Sequence, residues 1–458
     1  MRVPVFATIR PPIRLEVVGN RVKTNREKSS VTNLLLREAL ASDLEPSWYS
    51  SVTPTQAVAL GRLPLQVAEH HLCLEPVAIE ENIAAAAYND FATRVLWFAH
   101  HDLLRDYPLP STVMDAYSAF RQVNNAFACA LANHPVPSAP VIVNDYQLML
   151  VPSMLRRLRP DVRIVHVSYT AIAPLLTLRQ LPFQLLQDLI EGLLGADTLV
   201  FMADIWASRF VRAACLFTSA TYDRAARVLR HGQRATRVCV QPVFPDPAIV
   251  PSPHATSSDD HPKEPRVVVR TDRLDPAKNI LLGLHAFADL LRAKDPASSN
   301  LCMRARLVPT RQDLPEYREY AEKVYELASS ISNEFPGALT LLLGDDHRNA
   351  LNLLADADLI LANSVADGMN LAVQEGVIVN QRAAAVVLAQ NTGAARLFGG
   401  NAVSIAHSVS LSETTGRMRE GITLSLSKRK AMLYRARLAL SSRRTSLVDR
   451  CLTETLGP

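Results

Sequence analysis

The sequence lacks the features that would assign it to several common protein classes. None of its 458 residues lies in an apolar run approaching the roughly 18 residues needed to cross a bilayer. In the first stretch, MRVPVFATIRPPIRLEVV, Arg and Pro interrupt the apolar core that a signal peptide requires. No Lys/Arg tract is interleaved with aromatic residues, as nucleic-acid binding would favour. We therefore expect a cytoplasmic protein that binds neither membranes nor nucleic acids.

Cysteine is also sparse and unpaired in its spacing. The six residues show neither the CxxC spacing of a zinc site nor a disulfide framework: Cys73, Cys129, Cys215, Cys239, Cys302 and Cys451. The net charge of +5 would suit phosphorylated or nucleotide ligands, and it would equally suit an ordinary surface. With 48% hydrophobic residues the composition is globular, and the length predicts two or three domains.

Short apolar strands alternate with amphipathic helices along most of the chain, which is typical of parallel α/β sheets. We expect the strands to begin with IRLEVVG. A polar, proline-containing stretch at 251–265 interrupts the alternation and indicates a linker. The predicted organisation is an N-terminal domain over 1–250, this linker, a second domain over 266–425 and a helical segment over 426–458. Ligands of such sheets bind beyond the carboxyl ends of the strands, in a cleft between the halves.

In the second half, two segments at strand ends suggest a phosphate site. The strand RVVVR runs into TDRLDPAKN, where Arg273 and Lys278 could together hold a diphosphate. In ADGMNLAVQEG the chain should turn at Gly368 and start a helix, whose amino end favours anions. Asp367 is the expected helix cap if the turn is only structural. Glu375 could reach a pair of sugar hydroxyls, or it could be an ordinary solvent-facing acid.

The first half offers candidates for a second ligand. Asp145 ends the strand VIVND and could accept hydrogen bonds from sugar hydroxyls, or merely cap a turn. Arg21, in VVGNR, closes another strand and could bind a phosphate. Aromatic side chains could cover a sugar ring, although such residues more often lie in a core: Trp48, Tyr88 and Trp97. Arg311, in VPTRQDLPEY, follows a strand of the second half and could be a plain surface residue.

In this order the segments resemble glycosyltransferase family 20, the trehalose-6-phosphate synthase family, over nearly the whole chain. Each segment alone is weak, and their combination is specific: VVGNR, YNDFATRVLW, AYSAFRQVNNAFA, NDYQL, LRRLRPDVRI, QLPF with EGLLGAD, DRLDPAK, VPTRQDLPEY and DGMNLAVQE. The resemblance implies a GT-B fold of two Rossmann-like domains. The C-terminal domain would hold a nucleotide-sugar donor, GDP-, UDP- or ADP-linked, and the N-terminal domain a phosphorylated acceptor.

The resemblance also implies roles for individual residues. The donor residues would be Arg273, Lys278, Asp367, Gly368, Met369, Asn370, Leu371 and Glu375. The acceptor residues would be Arg21, Trp48, Tyr88, Trp97, Asp145 and Arg311. Those at the reaction itself would be Asp145, Arg273, Lys278 and Tyr169. Transfer would retain configuration without a covalent intermediate, because the leaving phosphate takes the acceptor's proton. No metal or other cofactor is implied.

The departures from the family pattern fall in the first half. Ser29 and Ser30 stand where the family has a glycine pair. Asn144 and Gln147 replace the two histidines of a His-Asp-Tyr-His motif, and Tyr169 replaces a third histidine. The donor half thus keeps the pattern, while the acceptor half is rewritten.

Several functions fit this combination. One branch, the pseudo-glycosyltransferases that make validoxylamine A 7'-phosphate, resembles the chain at DYQL, VPSMLR, FMADIWASRF, DPAKN, NSVADG and residues 379–395. It joins a nucleotide-linked cyclitol to an aminocyclitol phosphate. The alternatives are trehalose-6-phosphate synthesis from NDP-glucose and glucose 6-phosphate, an inactive homologue with a binding or regulatory role, and a GT-B enzyme with a simpler acceptor. The oligomeric state stays open, with a homo-oligomer among the options.

Overall fold

Two parallel sheets organise the chain, one in each of two units. The first unit is Met1–Pro242 with Thr445–Pro458, and the second is Val243–Arg444. The structure, a computed structural model, describes residues 3–18, 21–25, 35, 36, 38, 39, 45–60, 63–67, 70–135, 139–246, 265–294, 300–441, 446 and 447. The predicted linker, except for Pro265, lies outside these residues, as do Ser29 and Ser30. Within the described residues, no helix combines the length and apolar character needed to span a membrane.

The first unit contains a ten-stranded sheet and a separate two-stranded ribbon. Its strands are β1 Val5–Thr8, β2 Arg14–Val18, β3 Arg21–Asn25, β4 Ser47–Val52, β5 Leu63–Val67, β6 His70–Ala78, β7 Val141–Asn144, β8 Ile164–Ser168, β9 Thr198–Phe201, β10 Thr221–Asp223, β11 Val228–His231 and β12 Arg234–Val240. The sheet order is β10-β11-β12-β9-β8-β7-β1-β4-β6-β5. In this order, all neighbours from β12 across the sheet to β6 pair in parallel. The antiparallel pairs lie at the two ends of the sheet, where β10, β11 and β12 pair at one end and β6 and β5 at the other.

The first strand of this sheet is not the one that the sequence pattern predicts. The segment IRLEVVG does form β2, but β2 pairs antiparallel with β3 in the separate ribbon. The parallel sheet instead begins at β1, whose four residues are all buried. So short a run shows no clear periodicity. The first parallel strand therefore ends at Thr8, and the arginine that follows its end is Arg10 instead of Arg21.

Helices pack around the sheet of the first unit. They are Pro54–Leu60, Glu81–Ala85, Phe98–His100, Val113–Ala132, Val151–Leu158, Leu175–Leu178, Phe183–Leu193 and Asp204–Phe217, with a 3₁₀ turn at Tyr146–Leu148. Between the second and third of these lies a π-helix, Ala86–Trp97. Its wide winding is visible at its end, where the amide of Phe98 donates to the carbonyl of Thr93, five residues earlier. A π-helix of this length is unusual, because most are single-turn bulges.

The second unit is a six-stranded, fully parallel sheet in the order β15-β14-β13-β16-β17-β18. These strands are β13 Arg266–Leu274, β14 Leu301–Pro309, β15 Leu339–Leu343, β16 Leu359–Ala362, β17 Ala385–Ala389 and β18 Val403–Ile405. The helices are Ile280–Arg292, Pro315–Glu334, His347–Ala355, Leu371–Val379, Gly393–Phe398, Leu411–Thr423 and Leu426–Ser441, with 3₁₀ turns at Pro276–Lys278 and Gly399–Asn401. The core joins Val268 and Met303 of the sheet with Phe287 and Val324 of the helices.

Candidate active site

The predicted diphosphate residues meet at the carboxyl end of β13. A 3₁₀ turn, Pro276–Lys278, follows the strand and is capped by Asp275, whose carboxylate accepts the amide of Ala277. Because of this turn, Lys278 points back across the strand end. Its Nζ lies 2.5 Å from Oδ2 of Asp367 and 3.6 Å from Oδ1 of Asp272. Burial alone would lower the pKa of Lys278, but the two carboxylates outweigh it and the pKa is raised. Lys278 is therefore a fixed cation.

A second group of charges adjoins the first. Asp275 is fully buried, and its Oδ2 lies 3.3 Å from Nη1 of Arg311 and 3.8 Å from Nη2 of Arg273. Arg311 also donates to the hydroxyl of Tyr317 at 2.9 Å, and its side chain is only 9% exposed. The Arg273 side chain is 42% exposed. One carboxylate thus holds two guanidinium groups, and Arg273 is the one that solvent or a ligand can reach. Arg311 is not an ordinary surface residue.

The loop ADGMNL closes around its own carboxylate. Oδ1 of Asp367 accepts the amides of Met369 at 3.2 Å and Asn370 at 3.0 Å, while Oδ2 contacts Lys278. The helix that starts at Leu371 is capped by Asn370, whose Oδ1 accepts the amide of Val373. The expectation that Asp367 caps this helix is wrong, because Asn370 has the left-handed backbone (φ 57°) and the capping bond.

The loop is also held from the other side. The amide of Asp367 donates to Asn391, and its carbonyl accepts the amide of Gly393. Gly393 lies so close that a Cβ there would come within 2.2 Å of the carbonyl oxygen of Gly368. Only glycine permits this contact. The loop between β17 and the next helix therefore sets the position of the predicted donor loop.

Glu375 is not an ordinary solvent-facing acid, which was one of the two possibilities that the sequence left. Its side chain is 16% exposed, and its Oε1 lies 3.0 Å from Nε2 of His347. This hydrogen bond raises the pKa of His347 above its ordinary value, against the opposing effect of burial. Sequence reasoning missed His347, although it follows the end of β15 just as Arg273 and Asp145 accompany their strand ends. The pair presents a carboxylate at a fixed place on the helix that follows the loop of Asp367.

Asp145 has an unusual backbone at the end of β7. Its φ of 66° and ψ of 174° fall in a region that is essentially reserved for glycine. Four hydrogen bonds hold it: its amide donates to Val167, its carbonyl accepts from Leu148 and from Nε2 of His166, and its Oδ1 accepts the amide of Tyr169. Strain of this kind persists where the surroundings over-determine it, and it clusters at functional sites.

Two of the residues that depart from the family pattern contact each other beside Asp145. The hydroxyl of Tyr169 donates to Oδ1 of Asn144 at 2.9 Å. The Nδ2 of Asn144 donates to the carbonyls of Ala7 and Ile142. Asn144 is buried and Tyr169 is half-buried. The third departure, Gln147, provides a backbone carbonyl that accepts from Asn124.

The arginine beyond the first parallel strand is Arg10 and not Arg21. Arg10 follows β1 and donates to the hydroxyl of Tyr88 at 3.0 Å, with its guanidinium 4.8 Å from the centre of the Tyr88 ring. Arg21 instead begins β3 in the antiparallel ribbon, which is separate from the parallel sheet. The prediction that Arg21 closes a strand is therefore wrong, because it begins β3, whereas its binding of an acceptor phosphate stays a prediction.

The π-helix brings the two other predicted aromatic residues together. Tyr88 and Trp97 lie nine positions apart, which is two and a half turns of an α-helix but about two turns at the roughly 4.4 residues per turn of a π-helix. They therefore lie on one side of the helix instead of opposite sides. Trp97 packs 3.8 Å from the ring of His101 and 5.9 Å from that of Tyr146, in the NDYQ segment.

Trp48 belongs to the core. It is fully buried in β4, stacks on Phe6 with the ring centres 4.7 Å apart, and donates to Oγ1 of Thr8 at 2.7 Å. Both neighbours belong to β1, next to β4 in the sheet. The expectation that Trp48 contacts an acceptor is wrong, because its ring is packed inside the sheet layer.

Within the described part of the chain, no three His, Cys, Asp or Glu side chains are grouped so that they could hold a metal ion. The absence of a metal in the reaction stays a prediction.

The sequence profile of Glycosyltransferase family 20 matches residues 5–442.

The chain belongs to glycosyltransferase family 20.

Its curated relatives carry two different activities in their names. A trehalose-6-phosphate synthase of Mycobacterium sp. (strain JLS) is 29% identical over 351 residues, covering 72% of this chain and 72% of that protein. A validamine 7-phosphate valienyltransferase of Streptomyces hygroscopicus subsp. jinggangensis is 30% identical over 329 residues, covering 68% of this chain and 64% of that enzyme. Identity does not separate the two. Both are transferases, and the prediction of a glycosyltransferase is confirmed.

Solved structures show the same fold. A trehalose-6-phosphate protein from E. coli, bound with UDP-2-fluoro glucose, matches with a TM-score of 0.83 at 19% identity, covering 98% of this chain and 97% of that one. A UDP-forming trehalose-phosphate synthase from Burkholderia xenovorans, in complex with glucose-6-phosphate, matches with a TM-score of 0.82 at 16% identity, covering 100% of both chains. The predicted GT-B fold with parallel, Rossmann-like sheets is confirmed.

Proposed function

We propose that this glycosyltransferase moves a sugar or cyclitol unit from a nucleoside diphosphate donor to a phosphorylated acceptor, with retention of configuration and without a metal or other cofactor. The observation that supports this best is the charge cluster at the end of β13. There Lys278 is held by two carboxylates, the exposed Arg273 lies beside it, and one of the two carboxylates is that of Asp367, whose other oxygen is fixed by amides of its own loop.

This cluster suits a diphosphate bearing a sugar. Arg273 can bind phosphate oxygens through its fork, and Lys278 supplies a point charge. The carboxylate of Asp367 is already oriented by two amides, so it can accept sugar hydroxyls without rearranging. Glu375, fixed by His347, offers a second carboxylate for a hydroxyl pair.

The first unit supplies groups for an acceptor. Arg10 is exposed and stacked on Tyr88, which gives a phosphate one guanidinium and one hydroxyl. Asp145 follows β7, has its carboxylate bound to the amide of Tyr169, and is suited to accept from a hydroxyl or amine nucleophile. Arg311 was predicted to bind the acceptor, but it lies in the second unit together with the proposed donor residues. Its contact with the acceptor phosphate therefore remains part of the proposal.

The chemistry then requires positioning and charge stabilisation. As the bond to the leaving diphosphate breaks, negative charge grows on its oxygens, and Arg273 and Lys278 stabilise that charge. The nucleophile approaches on the face that the diphosphate leaves, and its proton passes to a phosphate oxygen. This route needs no second carboxylate acting as a covalent nucleophile.

Two substrate pairs follow from the relatives. The first is NDP-glucose with glucose 6-phosphate, as the trehalose-6-phosphate synthases suggest. The second is a nucleotide-linked valienol with validamine 7-phosphate, which the valienyltransferase supports together with the shared segments around DYQL, FMADIWASRF and residues 379–395. Tyr169 favours neither pair, because the resemblance leads us to expect a histidine at this position in either branch.

Calorimetry and product mass together test the proposal. One of GDP, UDP or ADP should bind, and Arg273→Ala should weaken that binding about ten- to a hundredfold, as expected for a lost charge-assisted contact. Arg292→Ala, which removes a surface guanidinium paired with Glu334, is the matched control. Incubation with each substrate pair identifies the product by mass. If no nucleotide binds the folded protein, the proposal fails, and if one binds but no pair reacts, the inactive-homologue alternative gains.

The acceptor side is tested by comparing two arginines. We expect Arg10→Ala to raise the KM for the phosphorylated acceptor about tenfold or more while leaving nucleotide affinity unchanged, because it removes a phosphate-binding guanidinium. Arg21→Ala, in the antiparallel ribbon, should have the smaller effect. The opposite ranking would restore the assignment made from the sequence.

A further inference from the structure

The strained backbone of Asp145 needs a structural explanation. A non-glycine residue at φ 66° and ψ 174° costs of order 1–3 kcal/mol, so the surrounding contacts must hold it there. Its amide and carbonyl are held by Val167, Leu148 and His166. Burial lowers the pKa of His166 to about 4, partly offset by its bond to Asp145, so His166 is neutral at ordinary pH and holds the carbonyl as a donor.

The side chain of Asp145 is held by a different chain of contacts. Its Oδ1 accepts the amide of Tyr169 at 3.1 Å. The phenol of the same tyrosine donates to Asn144, the residue immediately before Asp145. Asn144 in turn donates to Ala7 of β1. These bonds form a closed ring through Asn144, Asp145 and Tyr169, and the ring is anchored on the neighbouring strand.

The orientation of the Asn144 amide follows from its partners. Two backbone carbonyls, those of Ala7 and Ile142, require the Nδ2 group, so Oδ1 must face Tyr169 as an acceptor. The phenol hydroxyl of Tyr169 therefore donates its hydrogen bond to a side chain of the protein. A hydroxyl bound in this way is suited to fix a geometry, and it is poorly suited to give its proton to a substrate.

We propose that Asn144 and Tyr169 act as one positioning unit that keeps the Asp145 carboxylate in its strained orientation, and that Tyr169 works through this contact and not as an acid or base. The proposal rests on the proposed function, since it assumes that Asp145 receives the acceptor. It assigns one shared task to two residues that both depart from the histidines of the family pattern. Because the unit contains an amide and a phenol in place of imidazoles, it adds no imidazole titration beside Asp145.

A double-mutant cycle tests the coupling. Tyr169→Phe and Asn144→Ala should each lower kcat about ten- to a hundredfold, the range that the stored strain corresponds to. The double variant should be no slower than the slower single variant, because either change already opens the ring. KM for the donor and calorimetric affinity for the nucleoside diphosphate should stay unchanged. Tyr49→Phe, which loses a phenol contact to His134 in the same unit, is the control and should keep wild-type kcat.

Other outcomes would overturn the proposal. If the effects of the two single variants multiply, the residues act independently. If Tyr169→Phe keeps full kcat, the phenol has no positioning role.

A structural readout keeps the inference separate from the proposed function. Crystal structures of the wild type, Tyr169→Phe and Asn144→Ala would report the backbone of Asp145 directly. We expect a positive φ in the wild type and its loss, or a rotated carboxylate, in both variants. If the wild type transfers no sugar but the variants still release Asp145, the proposed function fails and the positioning unit stands. If both variants leave Asp145 unmoved, the positioning unit is refuted whatever the activity.

Discussion

Removal of the Lys278 ammonium should affect the stability and nucleotide affinity of the second unit together. Lys278 is 15% exposed, and its two carboxylate partners, Asp367 and Asp272, are 14% and 4% exposed. Lys278→Met would leave both carboxylates without this cation. Breaking a buried pair typically costs 3–5 kcal/mol, but here the cost should be about 2 kcal/mol, because Asp367 keeps two amides and Asp272 keeps Arg270.

Thermal and calorimetric measurements separate the two effects. A loss of about 2 kcal/mol lowers the melting temperature of a unit of this size by roughly 4–8 °C. Loss of the cation should also weaken nucleoside diphosphate binding about ten- to a hundredfold. Lys278→Arg, which keeps the charge, is the matched control and should recover much of the stability.

A second variant makes the reasoning refutable. Asp367→Asn keeps an oxygen for the amides of Met369 and Asn370 but releases Lys278 from its closest carboxylate. It should therefore bind a bare nucleoside diphosphate at least as well as the wild type, and bind a nucleotide sugar less well. If Lys278→Met lowers the melting temperature yet leaves nucleotide affinity unchanged, Lys278 is only structural and the assignment of the donor site is wrong.

Three further changes test other parts of the two units. His347→Gln should lower the melting temperature at pH 5.5 more than at pH 9. Because the pKa of His347 is raised in the folded protein, its pair with Glu375 stabilises the fold fully below about pH 6.5, and this contribution is lost as the pH rises through the pKa of the folded state. Equal shifts of the melting temperature at both pH values would contradict this reasoning. Gly393→Ala should impair nucleotide binding in calorimetry, since its Cβ would displace the donor loop, whereas Gly416→Ala, on a helix with open space around it, should not. Trp48→Phe should cost about 1–3 kcal/mol in denaturant unfolding with an unchanged acceptor KM, and a raised KM would return this residue to the binding site.

The charge cluster at the end of β13 was predictable because its parts are local in sequence. Arg273 and Lys278 follow the strand RVVVR within a few residues, and parallel strand ends meet at one edge of a sheet. The loop of Asp367 was recognisable for the same reason. Its internal geometry was not, because the choice of Asn370 as cap depends on which residue takes the left-handed backbone, and the local sequence does not indicate that residue.

The contacts of the first unit were harder to predict because they join residues that are distant in sequence. Arg10 meets Tyr88 across 78 positions, after a strand too short to show a pattern. The burial of Trp48 follows from its register against Phe6, which no local pattern reveals. Similarly, Asn144 and Tyr169 were each recognisable as departures, but their hydrogen bond links the ends of two strands and emerges only in the folded sheet.

The π-helix at Ala86–Trp97 has a consequence for how this segment can change during evolution. A substitution there alters a single contact and leaves the others in place. An insertion or deletion between Tyr88 and Trp97 would rotate one of them relative to the other by about 80°, the angle per residue of this winding. The number of residues in the segment is therefore constrained more tightly than their identity. Homologues that share the site should vary in the letters of this stretch while conserving its length.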